Sequence, residues 1–223
     1  MSLKLTCLSD THGMHSRVLV PPGTDVVVHA GDLTRTGNFL EFIDFLDWFA
    51  ALPQKHKVCT PGNHDRCVEK RQVDCEVEAK HRGIHLLIDR EVTLDGARFY
   101  GSPWTPKFCN WYYMKSRGRS IAKVWAKIPE DTHVLVTHGP PYGHGDLAPP
   151  YRVSNPRSVG CLELLKRLQD VKPLVHVFGH IHDGYGQTNS DEIGVTTFVN
   201  ASVCTEEYKP TNPCQIIDLN IRA

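Results

Sequence analysis

No C-x-x-C pair occurs among the 8 cysteines of this 223-residue chain. That argues against a zinc ribbon or a thioredoxin-like redox site. Charge of one sign is not in excess either: 25 Lys plus Arg balance 25 Asp plus Glu. No global field therefore favours nucleic acid or an anionic membrane. No apolar run approaches the length of a membrane span. The N-terminal residues enter an apolar strand pattern at once, without a basic segment and an apolar h-region. Cys7 and Cys59 sit inside apolar runs, as small buried hydrophobes do. These features lead us to expect a cytoplasmic chain with reduced thiols.

Histidine is abundant instead, at 13 residues. The hydrophobic pattern alternates between short β-branched runs and helical periods. Leu3 to Ser9, Thr24 to His29 and Lys57 to Thr60 read as strands, and Phe39, Phe42, Ile43, Leu46 and Phe49 give the apolar face of a helix. Arg66 to Arg82 reads as a solvated helix with Gly83 as its cap. Asp95-Gly96 marks a hairpin between Glu91–Leu94 and Arg98–Gly101. Ser116 to Ile128 and Val159 to Asp170 read as helices. His133 to Thr137, Leu174 to Phe178, Thr197 to Asn200 and Gln215 to Leu219 read as strands, and Asp183 to Asp191 as a polar loop. The expected fold class is α/β: a two-sheet mixed β-sandwich flanked by helices, as one domain over residues 1–223.

Five of these strands end in polar clusters: Asp10-Thr11-His12, Gly31-Asp32, Gly62-Asn63-His64-Asp65, His138, and Gly179-His180-Ile181-His182. In open α/β sheets, ligands bind outside the carboxyl ends of the strands. In an extended chain, residues i and i+2 point to one side, which pairs Asp10 with His12 and His180 with His182. Each cluster alone has an ordinary reading. Gly-Asp is commonly a turn, Asp65 in Asn-His-Asp suits a helix N-cap, and a lone His is commonly a surface residue. Five clusters in the right strand context point to one shared site. Its oxygen and imidazole donors, with no thiolate, suit Mn, Fe or Zn better than Ca or Mg.

This motif set resembles the calcineurin-like metallophosphoesterase superfamily. The segments GSPWTP, THGPPYGHGD and NPCQIIDL resemble more narrowly its brain-type metallophosphoesterase-domain subfamily. Some relatives carry Gly where this chain has His180, a departure that weakens metal binding and is absent here. The resemblance implies an αββα fold and two divalent transition metals per chain, with Mn expected to serve in vitro. It implies one metal on Asp10, His12, Asp32 and His182, and the other on Asp32, Asn63, His138 and His180. Asp32 then bridges, His64 lies by the leaving-group oxygen, and Asp65 orients His64. Two such metals, about 3.5–4 Å apart, clamp phosphate oxygens and activate a water for in-line attack.

The implied activity is hydrolysis of small or nucleotide-like phosphodiesters. A phosphomonoesterase, including a protein phosphatase, and a catalytically silent metal-binding scaffold are the competing readings. The expected partner is a small phosphoester substrate, with no membrane and no strong nucleic-acid signal. The motifs name no substrate-contacting residue. His144 and Asp146 either line the pocket or order their Gly-rich loop. Arg35, Arg66, Arg152 and Arg157 either meet phosphate or are solvated. Trp104, Trp111, Tyr112 and Tyr113 either stack a nucleobase or pack as core.

Overall fold

The computed structural model describes residues 2–148, 157–190 and 193–221. Its first half holds strands β1 (Ser2–Leu8), β2 (Val26–His29), β3 (His56–Cys59), β4 (Ile84–Leu86), β5 (Arg90–Leu94) and β6 (Ala97–Ser102), and helices α1 (Phe39–Ala50), α2 (Arg66–Lys70) and α3 (Gln72–His81). Next come β7 (Thr105–Pro106), β8 (Met114–Lys115), α4 (Arg119–Trp125), β9 (Val134–Thr137), β10 (Leu147–Ala148) and β11 (Arg157–Ser158). The chain continues through α5 (Leu162–Val171), β12 (Val175–Phe178), β13 (Gly186–Asn189), β14 (Thr197–Asn200) and β15 (Gln215–Asn220).

Two larger sheets form, in the orders β15-β1-β2-β3-β4 and β13-β14-β12-β9-β6-β5. Both are mixed. β1 to β4 are parallel with β15 antiparallel at the edge. β14, β12, β9 and β6 are parallel, with β13 and β5 antiparallel at the two edges.

Strand side chains alternate between two faces, and here both faces are covered. Val26, Val28, Val134, Val136, Val175 and Val177 meet between the sheets. Val27 turns the other way, onto Phe42, Phe45, Leu46 and Phe49 of α1. Leu135 and Phe198 turn onto α4 and α5 through Ile121, Trp125, Leu164 and Leu168. The result is the expected helix–sheet–sheet–helix sandwich. All eight cysteines are free, and seven of them are buried. Among the described residues, no helix is long and apolar enough to cross a membrane.

The structure corrects several expected elements. The helix over 66–82 breaks at Arg71 into α2 and α3, because Arg71 adopts φ −132°. Gly83 does follow α3 in the left-handed region, at φ 68°. The helix expected over 116–128 covers only α4, and the one over 159–170 begins at Leu162. The polar segment 183–191 contains an edge strand, β13, paired with β14. Its sequence GQTN faces solvent and carries no apolar period to read.

Helix α1 gives a direct test of this packing. Phe45 is fully buried, while Leu40 on the same helix is 74% exposed. Phe45→Ala should lower the unfolding free energy by about 3–5 kcal/mol, whereas Leu40→Ala should change it by less than about 0.5 kcal/mol. Denaturant unfolding of both variants checks this, and equal losses would contradict the burial assigned to α1.

Candidate metal centre

Five loops converge where the parallel strands of both sheets end. They follow β1, β2 and β3 of one sheet and β9 and β12 of the other. The backbone there is not extended. Asp10, His12, Asp32 and His180 have φ of 56°, 45°, 55° and 69°. Non-glycine residues in this region carry strain that tends to collect at functional sites. The i and i+2 reasoning from an extended strand is therefore corrected. Asp10 and His12 are aimed by a left-handed turn whose amides bond the second loop, Asp10 N–H to Gly31 O at 2.9 Å and His12 N–H to Asp32 O at 3.0 Å. His182 sits in a short 3-10 turn.

Two glycines let these loops approach. A Cβ on Gly62 would lie 2.3 Å from Asp32 Oδ1, and one on Gly179 would lie 2.0 Å from Asp10 Oδ2. Neither gap admits a methyl group.

The donor atoms form three overlapping groups, each with its atoms within 4.8 Å of one another: Asp10, His12 and His182; His12, Asp32 and His64; and Asp32, His138 and His180. Asn63 joins the last through Oδ1, 2.9 Å from His138 Nε2. Asp10 and Asp32 are buried, and so are His12, Asn63, His138 and His182. Asp10 accepts from Ser202 Oγ at 2.7 Å and from the His180 amide at 3.0 Å. Asp32 accepts from the His64 amide at 2.9 Å.

The tautomers matter here. His138 Nδ1 lies 3.0 Å from the Ala30 carbonyl, and His182 Nδ1 lies 2.9 Å from the Thr205 carbonyl. A carbonyl only accepts, so both Nδ1 atoms carry a proton and donate it. Each Nε2 lone pair then points inward. His138 Nε2 faces Asn63 Oδ1 and, at 3.3 Å, Asp32 Oδ1. His182 Nε2 faces His12 Nε2 at 3.3 Å and Asp10 Oδ1 at 3.5 Å. Lone pairs aimed at lone pairs repel unless a proton or a metal ion lies between them. This second-contact pattern, imidazole held from behind by a carbonyl, is the one metal-ligating histidines use. The residues present thus fit divalent cations.

Charge follows the same geometry. Burial alone would lower the His138 and His182 pKa values, but Asp32 and Asp10 respectively outweigh it and push each up to about 9. Burial would raise Asp10 and Asp32, yet the histidines around them hold both carboxyls well below the usual range. His12 and His180 respond mainly to burial and fall to about 4 and about 3.

The resemblance has Asp65 orient His64, and among the described residues its carboxylate makes no hydrogen bond to the His64 ring. Its carboxylate accepts from the amides of Gly62, Leu33 and Thr34 and from the Thr34 hydroxyl. Nor does it cap α2 with its side chain. His64 Nδ1 lies instead 2.8 Å from the Arg35 carbonyl. Asp65 shapes the loop that carries that carbonyl. Burial and nearby Asp32 push its own pKa up to about 6.

Several contributors escape the motif reading. Ser202, Thr205 and Tyr208 follow β14, and the Tyr208 ring stands 4.8 Å from that of His12. A signal existed: β14 runs parallel to β12, so its carboxyl end opens on the same edge. Of the remaining candidates, Asp146 accepts from the Gly143 and Gly160 amides and orders its loop. His144 stacks on Phe198 at 3.9 Å. Trp104 and Tyr113 pack into the core on the α1 side. Arg66 and Lys70 lie over the Tyr112 ring. Arg157 belongs to β11, and Arg152 lies outside the described residues.

Known proteins match this arrangement. The sequence profile of the calcineurin-like phosphoesterases matches residues 3–184. Metallophosphoesterase domain-containing protein 1 of Homo sapiens is 38% identical over 238 residues, covering 97% of this chain and 71% of that protein. A UPF0046 protein of Caenorhabditis elegans is 34% identical over 216 residues, covering 92% and 71%. The crystal structure of TT1561 of Thermus thermophilus superposes with a TM-score of 0.62 over 99% of this chain and all of that one, at 12% identity, a likeness of fold. With its profile match and its converging carboxylates and histidines, the chain belongs to the calcineurin-like phosphoesterase family.

Proposed function

We propose that the chain is a metal-dependent phosphodiesterase that hydrolyses small phosphodiesters at a dinuclear centre. The observation that carries this reading is the division of Asp32. Its Oδ1 faces His138 Nε2 at 3.3 Å, and its Oδ2 faces His12 Nε2 at 3.7 Å. A carboxylate whose two oxygens address separate imidazole groups is built to bridge. On this reading Asp10, His12, Asp32 and His182 hold one divalent metal, and Asp32, Asn63, His138 and His180 hold the other. Bound there, two such cations would neutralise phosphate oxygens and lower the pKa of a water toward neutrality. Mn is the metal we expect to support turnover in vitro. The eight free thiols suit a reducing, cytoplasmic setting, which imaging of a tagged chain would test.

The protein's own groups do the rest. Nδ1–H given to the Arg35 carbonyl turns Nε2 of His64 toward the cluster, and in the imidazolium form that nitrogen would donate its proton to a departing oxygen. That Nε2 lies 3.9 Å from Asp32 Oδ2, at the edge of the cluster. Asp65 acts at one remove, by fixing the 33–34 and 62 amides on either side of the His64 loop. A diester also suits the surroundings. It carries one negative charge where a monoester carries about two near neutral pH. Among the described residues the groups ion-paired with Asp10 and Asp32 are histidines, with no arginine or lysine.

Two variants separate ligand from acid. Asp32→Asn should impair metal binding at both positions, as elemental analysis would show. His64→Ala should keep its metal and slow turnover by roughly 10²–10⁴-fold. Loss of a metal in His64→Ala would refute the role given to His64. Substrate class is read by kcat/KM for bis-p-nitrophenyl phosphate against p-nitrophenyl phosphate on one metal-loaded preparation. The diester should be preferred, and a clear preference for the monoester would overturn the diesterase assignment.

A further inference from the structure

Between β6 and α4 the chain makes a flap over the metal centre. β7 and β8 close its base by parallel pairing of Thr105 with Met114 and Pro106 with Lys115. The base is anchored. Tyr113 is buried, holds φ 50°, and gives its amide to Glu69 Oε1 at 2.9 Å. Its ring meets Trp104 edge-on at 5.5 Å. The Tyr112 amide donates to the carbonyl of Asn63, the residue just before His64. Flap and His64 loop are therefore tied through the backbone.

The tip differs. Phe108 and Trp111 are each 43% exposed. The Trp111 ring lies 4.4 Å from that of His64, with 31° between the planes. Phe108 lies 5.2 Å from the His180 ring, and Tyr208, 39% exposed, lies 4.8 Å from the His12 ring. Scattered surface hydrophobes are ordinary. Three partly exposed rings, each against a different histidine of one polar cluster, form an aromatic rim instead.

We infer that Trp111 is a specificity residue whose exposed indole surface receives a planar aromatic substituent on the leaving group. The inference rests on the reading of His64 as the leaving-group residue. If a departing oxygen meets His64 Nε2, the group attached to that oxygen extends over the ring packed against His64. An indole already packed against the His64 ring offers that group an offset-stacked or edge contact. Phe108, beside His180, is the second wall of the same rim.

Binding tests this without turnover. The monomethyl esters of benzylphosphonate and ethylphosphonate each carry one negative charge, as a diester does, replace the leaving oxygen by carbon and cannot be cleaved there. They differ in whether that carbon bears an aromatic ring. Calorimetry on the Mn-loaded protein should show the benzyl compound binding more tightly, with about a 2- to 12-fold share of that preference due to Trp111. Trp111→Ala should lose that share while keeping its metal content and melting temperature, and Trp111→Phe should retain most of it. An undiminished benzyl preference in Trp111→Ala, or no preference in the natural protein, would overturn the inference and leave the phosphoesterase reading standing. Failure of both phosphonates to bind the Mn-loaded protein would overturn the two together.

Discussion

Asp10 and Asp32 bring two carboxylates to places where their side chains are 0% and 3% exposed, and no lysine or arginine among the described residues pairs with either. Burying an ion costs several kcal/mol unless partners compensate it. Here the compensation consists of the Ser202 hydroxyl, the His180 and His64 amides, and imidazoles whose Nε2 atoms face inward. With Nδ1 of His138 and His182 committed to carbonyls, those imidazoles neutralise the carboxylates only by taking up a proton or a cation. Stability and metal binding are thus the same interaction seen from two sides, because a ligand that binds only the folded chain stabilises it by mass action.

That constraint explains why the fold needs two sheets rather than one. Asp10, Asp32 and Asn63 come from the sheet built on β1, β2 and β3, whereas His138, His180 and His182 follow β9 and β12 of the other. The valine layer between the sheets sets their spacing. Cross-links at the site fix their alignment: His138 Nδ1 to Ala30 O, the bridge between Ser9 and Ser202, and the His180 amide to Asp10. The glycine at 179 then allows the Asp10 carboxylate to lie directly against the opposing backbone.

Much of this was legible in the residues. Core strands such as β2 and β9 carry β-branched apolar runs, and α1 carries a clean helical period, so both announce themselves. The polar clusters stand at strand ends, where parallel sheets place their sites. What escaped was set by tertiary context. β13 has no apolar face to give it a period, and the 105–115 flap is shaped by pairings of two residues each. The αL turns at Asp10, His12 and Asp32 are invisible to a rule that assumes extended backbone. Asp65 illustrates the limit at the level of one residue. The resemblance gives it the orienting of His64, and its surroundings commit its carboxylate to amides at 33, 34 and 62. The aromatics of the 104–113 segment likewise divide by burial. Trp104 and Tyr113 pack inward, and Trp111 stands at the site.

Two metals held by these converging donors in one centre, as proposed, would lie close enough to couple magnetically. Metal-stripped protein should be reconstituted with Mn, freed of loose ions by gel filtration, and examined by elemental analysis together with electron paramagnetic resonance. The account predicts two Mn per chain with the exchange-coupled spectrum of neighbouring ions. A single Mn per chain at saturation, or two with the spectra of isolated ions, would contradict it.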